Sequence, residues 1–354
     1  MIIMKLSAEE VKAKVKDHSL TVAVVGLGWM GLPTACLFGD AGANVIGVDS
    51  NPEIVEKLNR GESYLPEPGL PQLLKRLLSQ KRLRATSNTE EAASQSDAII
   101  LLVPTLIDKL KSADYSAVES SCREIGKGIE SGCLLIFEST CGPGVTERVV
   151  KSTLEKYSGL KAGIDFGLAY SPVRAMGGRA LGDMQRYPKV LGAIDEKSLE
   201  VAEALLSTIV KGEIVKVRDI KTAEASKLFE TIYRDVNIAL ANEFAVFCEK
   251  AEVDYDEARE AANSLKEYCH LHIPSVGVGG HCLPIYPYLL VNEAGRLEVR
   301  FKLILNAREI NGGMPSHTAR LVADGLKASG RSIKRSKVVV LGISYRANVK
   351  ETRF

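Results

Sequence analysis

The glycine-rich turn at residues 26–31 constrains the fold of this chain more than any other feature. It reads Gly-Leu-Gly-Trp-Met-Gly and follows Thr21–Val25, an apolar, β-branched run typical of a buried parallel strand. A helical stretch, Leu32–Ala41, comes next, and a second strand, Asn44–Val48, ends at Asp49. Strand, glycine turn, helix, strand and acidic residue in this order predict an α/β fold that begins with a Rossmann-like, doubly wound sheet.

Each part of such a unit has a mechanical role in dinucleotide binding. Gly26 makes the tight turn, Gly28 lets a pyrophosphate approach the backbone, and Gly31 lets the helix pack on the strand. The N-terminus of the helix faces the phosphates. Asp49 can accept hydrogen bonds from the adenosine ribose and would repel a 2′-phosphate, so we expect NAD rather than NADP. The alternative is a glycine-rich turn in some other α/β fold.

Further apolar runs continue the predicted sheet through a domain of residues 1–218. They are Asp97–Val103, Cys133–Phe137, Gly163–Ala169, Val190–Gly192 and Glu213–Val217. Thr105 follows the first of these runs and Thr140 follows the second. Ligands of a doubly wound sheet bind outside the carboxyl ends of its strands, so both threonines are expected on the cofactor side. Taken singly, each fits an ordinary strand-end turn equally well.

Composition and cysteine usage narrow the class of protein. The chain has 354 residues, room for two domains and part of a third, and its 46 Lys and Arg nearly balance 44 Asp and Glu. That balance gives no electrostatic basis for binding nucleic acid or an anionic membrane. Seven scattered cysteines without a C-x-x-C pair argue against a disulfide framework and a structural zinc site. With neither a signal peptide nor a membrane-spanning run in the sequence, we expect a cytoplasmic protein without a metal.

A long helix is predicted over Thr222–Ala251, a stretch without Gly or Pro. Its apolar residues recur at helical spacing: Leu228, Ile232, Val236, Leu240, Phe244 and Phe247. About 30 residues span about 45 Å, more than one small domain needs. We therefore expect a homodimer through the 222–251 helix, inside an all-α central domain of residues 219–330. Lys227 could project into a cleft between domains, although a solvated helix lysine is the simpler interpretation of that residue alone.

A single cysteine, Cys282, lies between a glycine run and a proline in the segment 277–284. Glycines permit close approach of a ligand, and the proline stiffens the exit, so this thiol could serve as a nucleophile. A buried cysteine beside a tight turn is the alternative. Helices are predicted over Asp254–Ala262, Phe301–Ile310 and His317–Lys327. A strand, Lys337–Gly342, is expected to open a truncated domain of residues 331–354.

Taken together, these segments resemble the UDP-glucose/GDP-mannose dehydrogenase family, closest to its UDP-N-acetylmannosamine dehydrogenase branch. The resemblance covers nearly the whole chain. Its carriers are Val25–Pro33, Gly61–Tyr64, Glu67–Leu70, Glu138–Thr140, Pro143–Glu147, Ser171–Pro172, Tyr233–Glu243, Gly279–Pro284 and Ala307–Asn311. The set in this order is highly specific.

The resemblance implies a two-step, NAD-dependent oxidation of the C6 alcohol of a UDP-sugar to a carboxylate. It assigns Cys282 as the nucleophile that forms a thioester, Lys227 as the group that stabilises the oxyanion, and Thr140 as a neighbour of the nicotinamide and the catalytic water. Thr105 is expected at the cofactor. Lys227, Gly279 and Arg174 are expected at the substrate.

The chain departs from the family pattern at positions that bear on chemistry. The family carries Glu where this chain has Val173, Asn where it has Thr231, and Asp where it has Tyr286. An expected Arg has no clear counterpart in residues 266–268, and the nucleotide-binding third domain is cut short. Two interpretations follow from these departures. The chain is a nucleotide-sugar 6-dehydrogenase, or it is a catalytically impaired relative that keeps NAD binding and dimerisation.

Overall fold

The computed structural model describes residues 2–342 and 344–345. The chain divides into two compact units between Lys227 and Leu228. Each unit is described by itself. The division falls inside one long helix, so that the first eight residues of the helix belong to the first unit and the remainder to the second.

The first unit is built on a mainly parallel sheet. Its strands are β1 (Thr21–Val25), β2 (Asn44–Val48), β3 (Leu83–Thr86), β4 (Ala98–Leu101), β7 (Leu134–Phe137), β8 (Gly167–Tyr170), β9 (Lys189–Ala193) and β10 (Ile214–Lys216), while β5 (Leu106–Ile107) and β6 (Ala113–Asp114) form a separate small hairpin. The strand order is β10-β9-β8-β7-β4-β1-β2-β3. Strands β8 and β9 pair antiparallel, and the other neighbours in the sheet pair parallel.

Helices cover both faces of this sheet, as a doubly wound fold requires. They are α1 (Ala8–Lys16), α2 (Gly31–Ala41), α3 (Pro52–Asn59), α4 (Leu70–Ser79), α5 (Thr89–Ser94), α6 (Ser116–Gly128), α7 (Ser152–Ser158), α8 (Ala180–Arg186) and α9 (Glu196–Leu206), with a 3₁₀ turn at Ile3–Lys5 and a π-helical turn at Thr146–Lys151. Alternate residues of β1 enter different cores: Val22 and Val24 pack on one side, and Ala23 and Val25 on the other. The apolar β1 run predicted as buried is therefore buried on both faces.

The second unit is helical in its described part. Helix α10 (Ile220–Ala251) leads into it, followed by α11 (Tyr255–Asn263), α12 (Tyr286–Arg296), α13 (Lys302–Ala328) and a 3₁₀ turn at Ile333–Arg335. Helix α10 is two residues longer at its start than the predicted helix. Helix α12 was not predicted, because its sequence begins only two residues after a proline and contains another proline. That second proline lies in the first turn of α12, where it costs no helical hydrogen bond.

Two predictions for this unit were wrong. The helices predicted at 301–310 and 317–327 are one helix, α13, which continues through two glycines and Pro315. A buried stripe of Ile304, Ala307, Asn311 and Met314 runs up to that proline, and its packing outweighs the hydrogen bond that the proline forgoes.

The predicted strand Lys337–Gly342 is not a strand. Val338, Val339, Val340 and Leu341 are 57–90% exposed. A strand requires a neighbour for its backbone groups, and none is formed in the part of this unit that the structure describes. The remainder of the expected 331–354 segment, at 343 and 346–354, lies outside the described residues. Across the described chain, no helix is both long and apolar enough to cross a lipid bilayer.

Candidate functional site

The glycine turn after β1 leaves open space at only one of its three glycines. Gly26 has φ +94°, and a Cβ added there would lie 2.3 Å from the Leu102 carbonyl oxygen. A Cβ on Gly31 would lie 1.7 Å from the Gly26 carbonyl oxygen. A Cβ on Gly28 would meet no atom within 4 Å. Gly26 and Gly31 are therefore required by packing, and Gly28 leaves open space beside the start of α2, the position at which doubly wound folds bind a pyrophosphate.

Asp49 and Tyr64 hold the other side of this turn. The Asp49 carboxylate accepts hydrogen bonds from the Leu27 N–H at 3.1 Å and from the Asn51 N–H at 2.9 Å. The Tyr64 hydroxyl donates to the Leu27 carbonyl oxygen. Burial, and to a smaller extent the charge of Asp49, raise the pKa of Tyr64, so the hydroxyl stays a donor. Each carboxylate oxygen of Asp49 keeps a lone pair for a ribose hydroxyl.

The structure brings Thr105 and Thr140 together at the carboxyl edge of the sheet. The Thr105 hydroxyl donates to the Thr140 carbonyl oxygen at 2.6 Å, and both residues are buried. Beside them, the Ser139 hydroxyl donates to the Val103 carbonyl oxygen at 2.6 Å. These bonds join the segment after β4 to the segment after β7. Glycine turn, Asp49 and the two threonines thus lie at one edge of one sheet, where a doubly wound fold binds its ligand.

A small cavity of about 20 Å³ lies behind the segment after β8, and Val173 and Arg174 line it together with Glu138 and Lys189. A space of that size holds about one water molecule. The Lys189 ammonium is 2.7 Å from the Glu138 carboxylate, and both side chains are nearly buried. Arg174 donates to the Pro188 carbonyl oxygen at 3.1 Å. The cavity therefore has a paired carboxylate at Glu138 but an apolar side chain at Val173.

The next residues of this segment, 176–178, are held against the glycine turn and the loop that precedes α4. The Gly178 N–H donates to the buried Glu67 carboxylate at 2.7 Å. The Trp29 ring packs on Gly177, where an added Cβ would come within 3.1 Å of it. Contacts from both sides therefore position the backbone that follows Arg174.

Lys227 is carried by α10, two turns into the helix and half-buried. One turn before it, Glu224 is fully buried and faces the loop that follows Thr140. Its carboxylate accepts from the Cys141 thiol at 3.3 Å. Burial, and then the charge of Glu224, raise the pKa of Cys141, which therefore stays a protonated donor rather than a nucleophile.

In the second unit, Cys282 and Gly279 share the loop that leads into α12. The Cys282 carbonyl oxygen accepts from the Ile285 N–H at 3.1 Å and from the Tyr286 N–H at 2.9 Å. Gly280 has φ +85°, and the Tyr345 ring packs on it. Cys282, which is partly exposed, therefore lies in the turn that leads into α12, four residues before the helix begins.

Buried polar side chains surround the base of this loop. Asp235 and Asn242 from α10 meet Arg308 and Asn311 from α13, and all but Arg308 are almost completely buried. No role for these residues follows from the sequence. The sequence marks these residues in one way only: they are polar residues at core positions within two of the segments that carry the family resemblance. Glu67 and Glu138 also lie within such segments. Glu224 and Lys189 lie outside them.

The two remaining departures from the family pattern also lie in this unit. Thr231 is a buried residue of α10, and Tyr286 is the first residue of α12. Within the described residues, no group of three or more His, Cys, Asp or Glu side chains is arranged to hold a metal ion.

Comparison with known proteins matches both units to domains of one family. The profile of the NAD-binding domain of the UDP-glucose/GDP-mannose dehydrogenase family matches residues 20–210, and that of its central domain matches residues 221–312. The UDP-N-acetyl-D-mannosamine dehydrogenase of Pyrococcus horikoshii is 38% identical over 334 residues, which are 94% of this chain and 78% of that protein. The NDP-N-acetyl-D-galactosaminuronic acid dehydrogenase of Ralstonia nicotianae is 34% identical over 339 residues, which are 94% and 77% of the two chains.

Solved structures agree with these sequence matches. The UDP-D-ManNAc dehydrogenase of Pyrococcus horikoshii superposes with a TM-score of 0.89 at 37% identity, over 94% of this chain and 78% of the other. The UDP-N-acetyl-mannosamine dehydrogenase of Staphylococcus aureus superposes with a TM-score of 0.83 at 33% identity, over 94% and 76%.

Proposed function

Because the chain belongs to the UDP-glucose/GDP-mannose dehydrogenase family, we propose that it oxidises the C6 alcohol of a UDP-hexose to the uronic acid with NAD, and that the hexose is N-acetylmannosamine. The observation that carries the proposal is Cys282, a partly exposed thiol on the loop before α12, in a chain that is 38% identical to a UDP-N-acetyl-D-mannosamine dehydrogenase over 94% of its length. A cysteine nucleophile allows the aldehyde to be oxidised further to the acid, whereas a simple alcohol dehydrogenase stops at the aldehyde.

The first unit supplies the dinucleotide site. The open space at Gly28 and the start of α2 take the pyrophosphate, Asp49 accepts from the adenosine ribose, and Thr105 and Thr140 border the nicotinamide side. Asp49 is the reason for NAD in preference to NADP, since its charge opposes a 2′-phosphate. When bound, the cofactor accepts the hydride in each of the two oxidations.

Cys282 makes the second oxidation possible. Its thiolate adds to the C6 aldehyde: a sulfur–carbon bond forms, the carbonyl π electrons move to oxygen, and that oxygen takes up a proton. The resulting thiohemiacetal then loses its C6 hydrogen as hydride and its hydroxyl proton to the surroundings, which gives a thioester. Water then attacks the thioester carbon and the carbon–sulfur bond breaks. One proton of the water goes to the sulfur of Cys282 and the other is released, which leaves the carboxylate and the thiol. In this proposal Lys227 offsets the negative charge on oxygen, Thr140 contacts the attacking water, and Arg174 and Gly279 contact the substrate.

The second unit supports a homodimer through α10. Five large apolar side chains on this helix, Phe229, Tyr233, Leu240, Phe244 and Phe247, are 37–64% exposed. At 100° per residue they fall within one narrow stripe of the helix, which is a surface suited to a second copy of the same helix. Light scattering should give twice the chain mass at micromolar concentration, and a monomer there would contradict the dimer. None of the seven cysteines forms a disulfide bond, which supports a reducing, cytoplasmic location.

A catalytically impaired relative is the second candidate function, and Val173 is the observation that favours it. The family has a carboxylate at this position, and here an apolar side chain lines the cavity next to Glu138. General-base assistance is typically worth roughly 10²–10⁴-fold in rate. Loss of that assistance would slow hydrolysis of the thioester without preventing NAD binding or dimerisation.

The decisive experiment measures NADH formation by the purified chain with UDP-N-acetylmannosamine, UDP-N-acetylglucosamine and UDP-glucose, beside a titration of NAD binding. Two NADH per uronic acid, with UDP-N-acetylmannosamine preferred, is the expected result. Cys282→Ser should bind NAD normally and yield no acid, whereas Cys269→Ser, a matched change at another partly exposed cysteine, should retain the wild-type rate. NAD binding without NADH from any of the sugars would favour the impaired relative.

A further inference from the structure

We propose that a buried hydrogen-bonded relay between α10 and α13 positions the cysteine loop, and that Asn242 is its positioning residue for Cys282. The relay has four members in the second unit: Asp235 and Asn242 on α10, and Arg308 and Asn311 on α13. The proposal rests on the proposed function in one respect: it takes Cys282 to be the nucleophile whose position matters for the reaction.

The relay is continuous from one helix to the other. The Asn311 amide donates to the Asp235 carboxylate at 2.9 Å and to the Asp235 carbonyl oxygen at 3.0 Å. The Asn242 amide donates to the Asn311 side-chain oxygen at 2.9 Å. Asp235 and Asn242 are 0% exposed and Asn311 is 1% exposed. The amide groups of Asn242 and Asn311 have their partners in this arrangement, and another arrangement would leave one of them buried without a hydrogen bond. Within the described residues, the second carboxylate oxygen of Asp235 and the Nε of Arg308 are buried and form no hydrogen bond.

The relay reaches the entry of the cysteine loop through Asn242. The side-chain oxygen of Asn242 accepts from the Ser275 N–H at 2.8 Å. The Ser275 hydroxyl in turn donates to the Gly277 carbonyl oxygen at 2.9 Å. The Pro315 ring lies against Gly277, where an added Cβ would come within 3.4 Å of it. The chain is therefore held at Ser275 and supported at Gly277, the first glycine of the run before Cys282.

A second arm of the relay reaches the exit of the loop. Arg308 pairs with the Asp235 carboxylate, and the same guanidinium nitrogen lies 3.5 Å from the carbonyl oxygen of Leu283, the residue after Cys282. The Leu283 contact is long, so the entry bond at Ser275 carries the greater share of the fixation. Between the two arms lies Gly280, which needs a positive φ and gives the loop no rigidity of its own.

This arrangement explains why polar residues occupy core positions of two helices. If the relay were only a structural feature of the helix pair, apolar residues of the same volume would serve as well. Asn242, however, uses its donor for Asn311 and its acceptor for the loop. Asn242 therefore couples the packing of α10 against α13 to the position of the loop that carries Cys282. A displacement of about 1 Å at a reacting group can reduce a rate by roughly 10²-fold.

The test compares three variants of the full chain. Asn242→Leu removes both the donor and the acceptor at nearly constant volume, and Asn242→Asp keeps an acceptor for the Ser275 N–H. Asn237→Leu is the matched control, because that amide bonds the Tyr233 carbonyl oxygen of its own helix at 2.7 Å. The readout is the rate at which iodoacetamide alkylates Cys282 at pH 7, followed by peptide mass spectrometry with Cys269 as internal reference.

We expect Asn242→Leu to change the alkylation rate of Cys282 about fivefold or more, since a loosened loop no longer holds the thiol in one place. Asn237→Leu should stay within about twofold of the wild-type chain. Asn242→Asp keeps the acceptor for Ser275 but loses the donor to Asn311, so its effect should lie between those of the other two variants. An unchanged Cys282 rate in folded Asn242→Leu, or an equal change in Asn242→Leu and Asn237→Leu, would overturn the proposal. Labelling requires no turnover, so failure of the dehydrogenase assay leaves this result interpretable.

A measurement on the unmodified chain keeps the proposal testable if the second unit of Asn242→Leu does not fold, which alkylation of the buried Cys248 in that unit would reveal. The Ser275 N–H should exchange with deuterium far more slowly than the N–H groups of exposed loop residues nearby, because Asn242 holds it. Exchange of the Ser275 N–H at the rate of an open loop would contradict the proposal.

Discussion

The carboxylate of Glu224 accepts hydrogen bonds from both the N–H and the hydroxyl of Thr146, at 2.7 and 2.6 Å. The Gly144 N–H donates to the same carboxylate. Glu224 lies in the second turn of α10, and Thr146 lies at the end of the loop that begins at Thr140. One buried side chain therefore fixes the loop at the carboxyl end of β7 to the helix that carries Lys227.

We predict that Glu224→Gln destabilises the chain by about 1–3 kcal/mol, because an amide N–H would face donors that now share a carboxylate. The matched control is Glu147→Gln, a surface carboxylate 3.0 Å from the Lys221 ammonium, with an expected change within about 0.5 kcal/mol. Urea unfolding measures both. Equal stability of the two variants would show that the Glu224 contacts are not maintained in solution.

Gly28→Ala and Gly31→Ala should separate cofactor binding from folding. A Cβ at Gly28 meets no protein atom, so this variant should unfold at the wild-type urea midpoint and bind NAD at least about tenfold more weakly. A Cβ at Gly31 would overlap the Gly26 carbonyl oxygen, so this variant should lose more than about 2 kcal/mol of stability. Isothermal titration and urea melts provide the readouts. Wild-type NAD affinity in Gly28→Ala would place the pyrophosphate elsewhere.

Asp49→Asn should change the preference between NAD and NADP. The asparagine side-chain oxygen can still accept from the Leu27 N–H, while the acceptor for the Asn51 N–H and the negative charge that opposes a 2′-phosphate are lost. A hydrogen bond to a charged group is worth about 1.5–3 kcal/mol, so NAD should bind roughly 10- to 100-fold more weakly. The ratio of NADP to NAD affinity should rise. If the unmodified chain binds NADP more tightly than NAD, the assignment of Asp49 is wrong.

Asp219 should make the free energy of unfolding decrease as the pH falls into the acid range. Hydrogen bonds from Arg218, and then from Thr222 at the start of α10, lower the pKa of Asp219 from 3.8 to about 2. A lowered pKa in the folded state means that the ionised form stabilises the fold above about pH 4 and that this contribution is lost as pH falls towards 2. Asp219→Asn keeps an acceptor for Thr222 but does not ionise. Its stability should therefore approach that of the wild-type chain between pH 4 and pH 2, and a constant difference between them would contradict the assignment.

Several elements of the fold could be predicted because their signals are local. The bounds of β1 and β2 agree with the prediction to the residue, since apolar runs and glycine turns lie within a few positions of one another. The break predicted between 310 and 317 was wrong for the opposite reason. Local propensity favours a stop at two glycines and Pro315, and the buried stripe that carries the helix across them is set by its packing partners.

The sequence by itself determined the dinucleotide fold, the order of its glycine turn and acidic residue, the long helix and the cysteine loop, because each is written in adjacent residues whose period and turn chemistry act locally. Only the tertiary structure decided which distant polar groups meet. Glu224 and Thr146 are hydrogen-bonded although they are 78 residues apart in sequence, and Asn242 and Asn311 although they are 69 apart. Such pairings depend on the order of strands and the packing of helices. A buried carboxylate or amide is held only by the partners that packing brings within hydrogen-bonding distance.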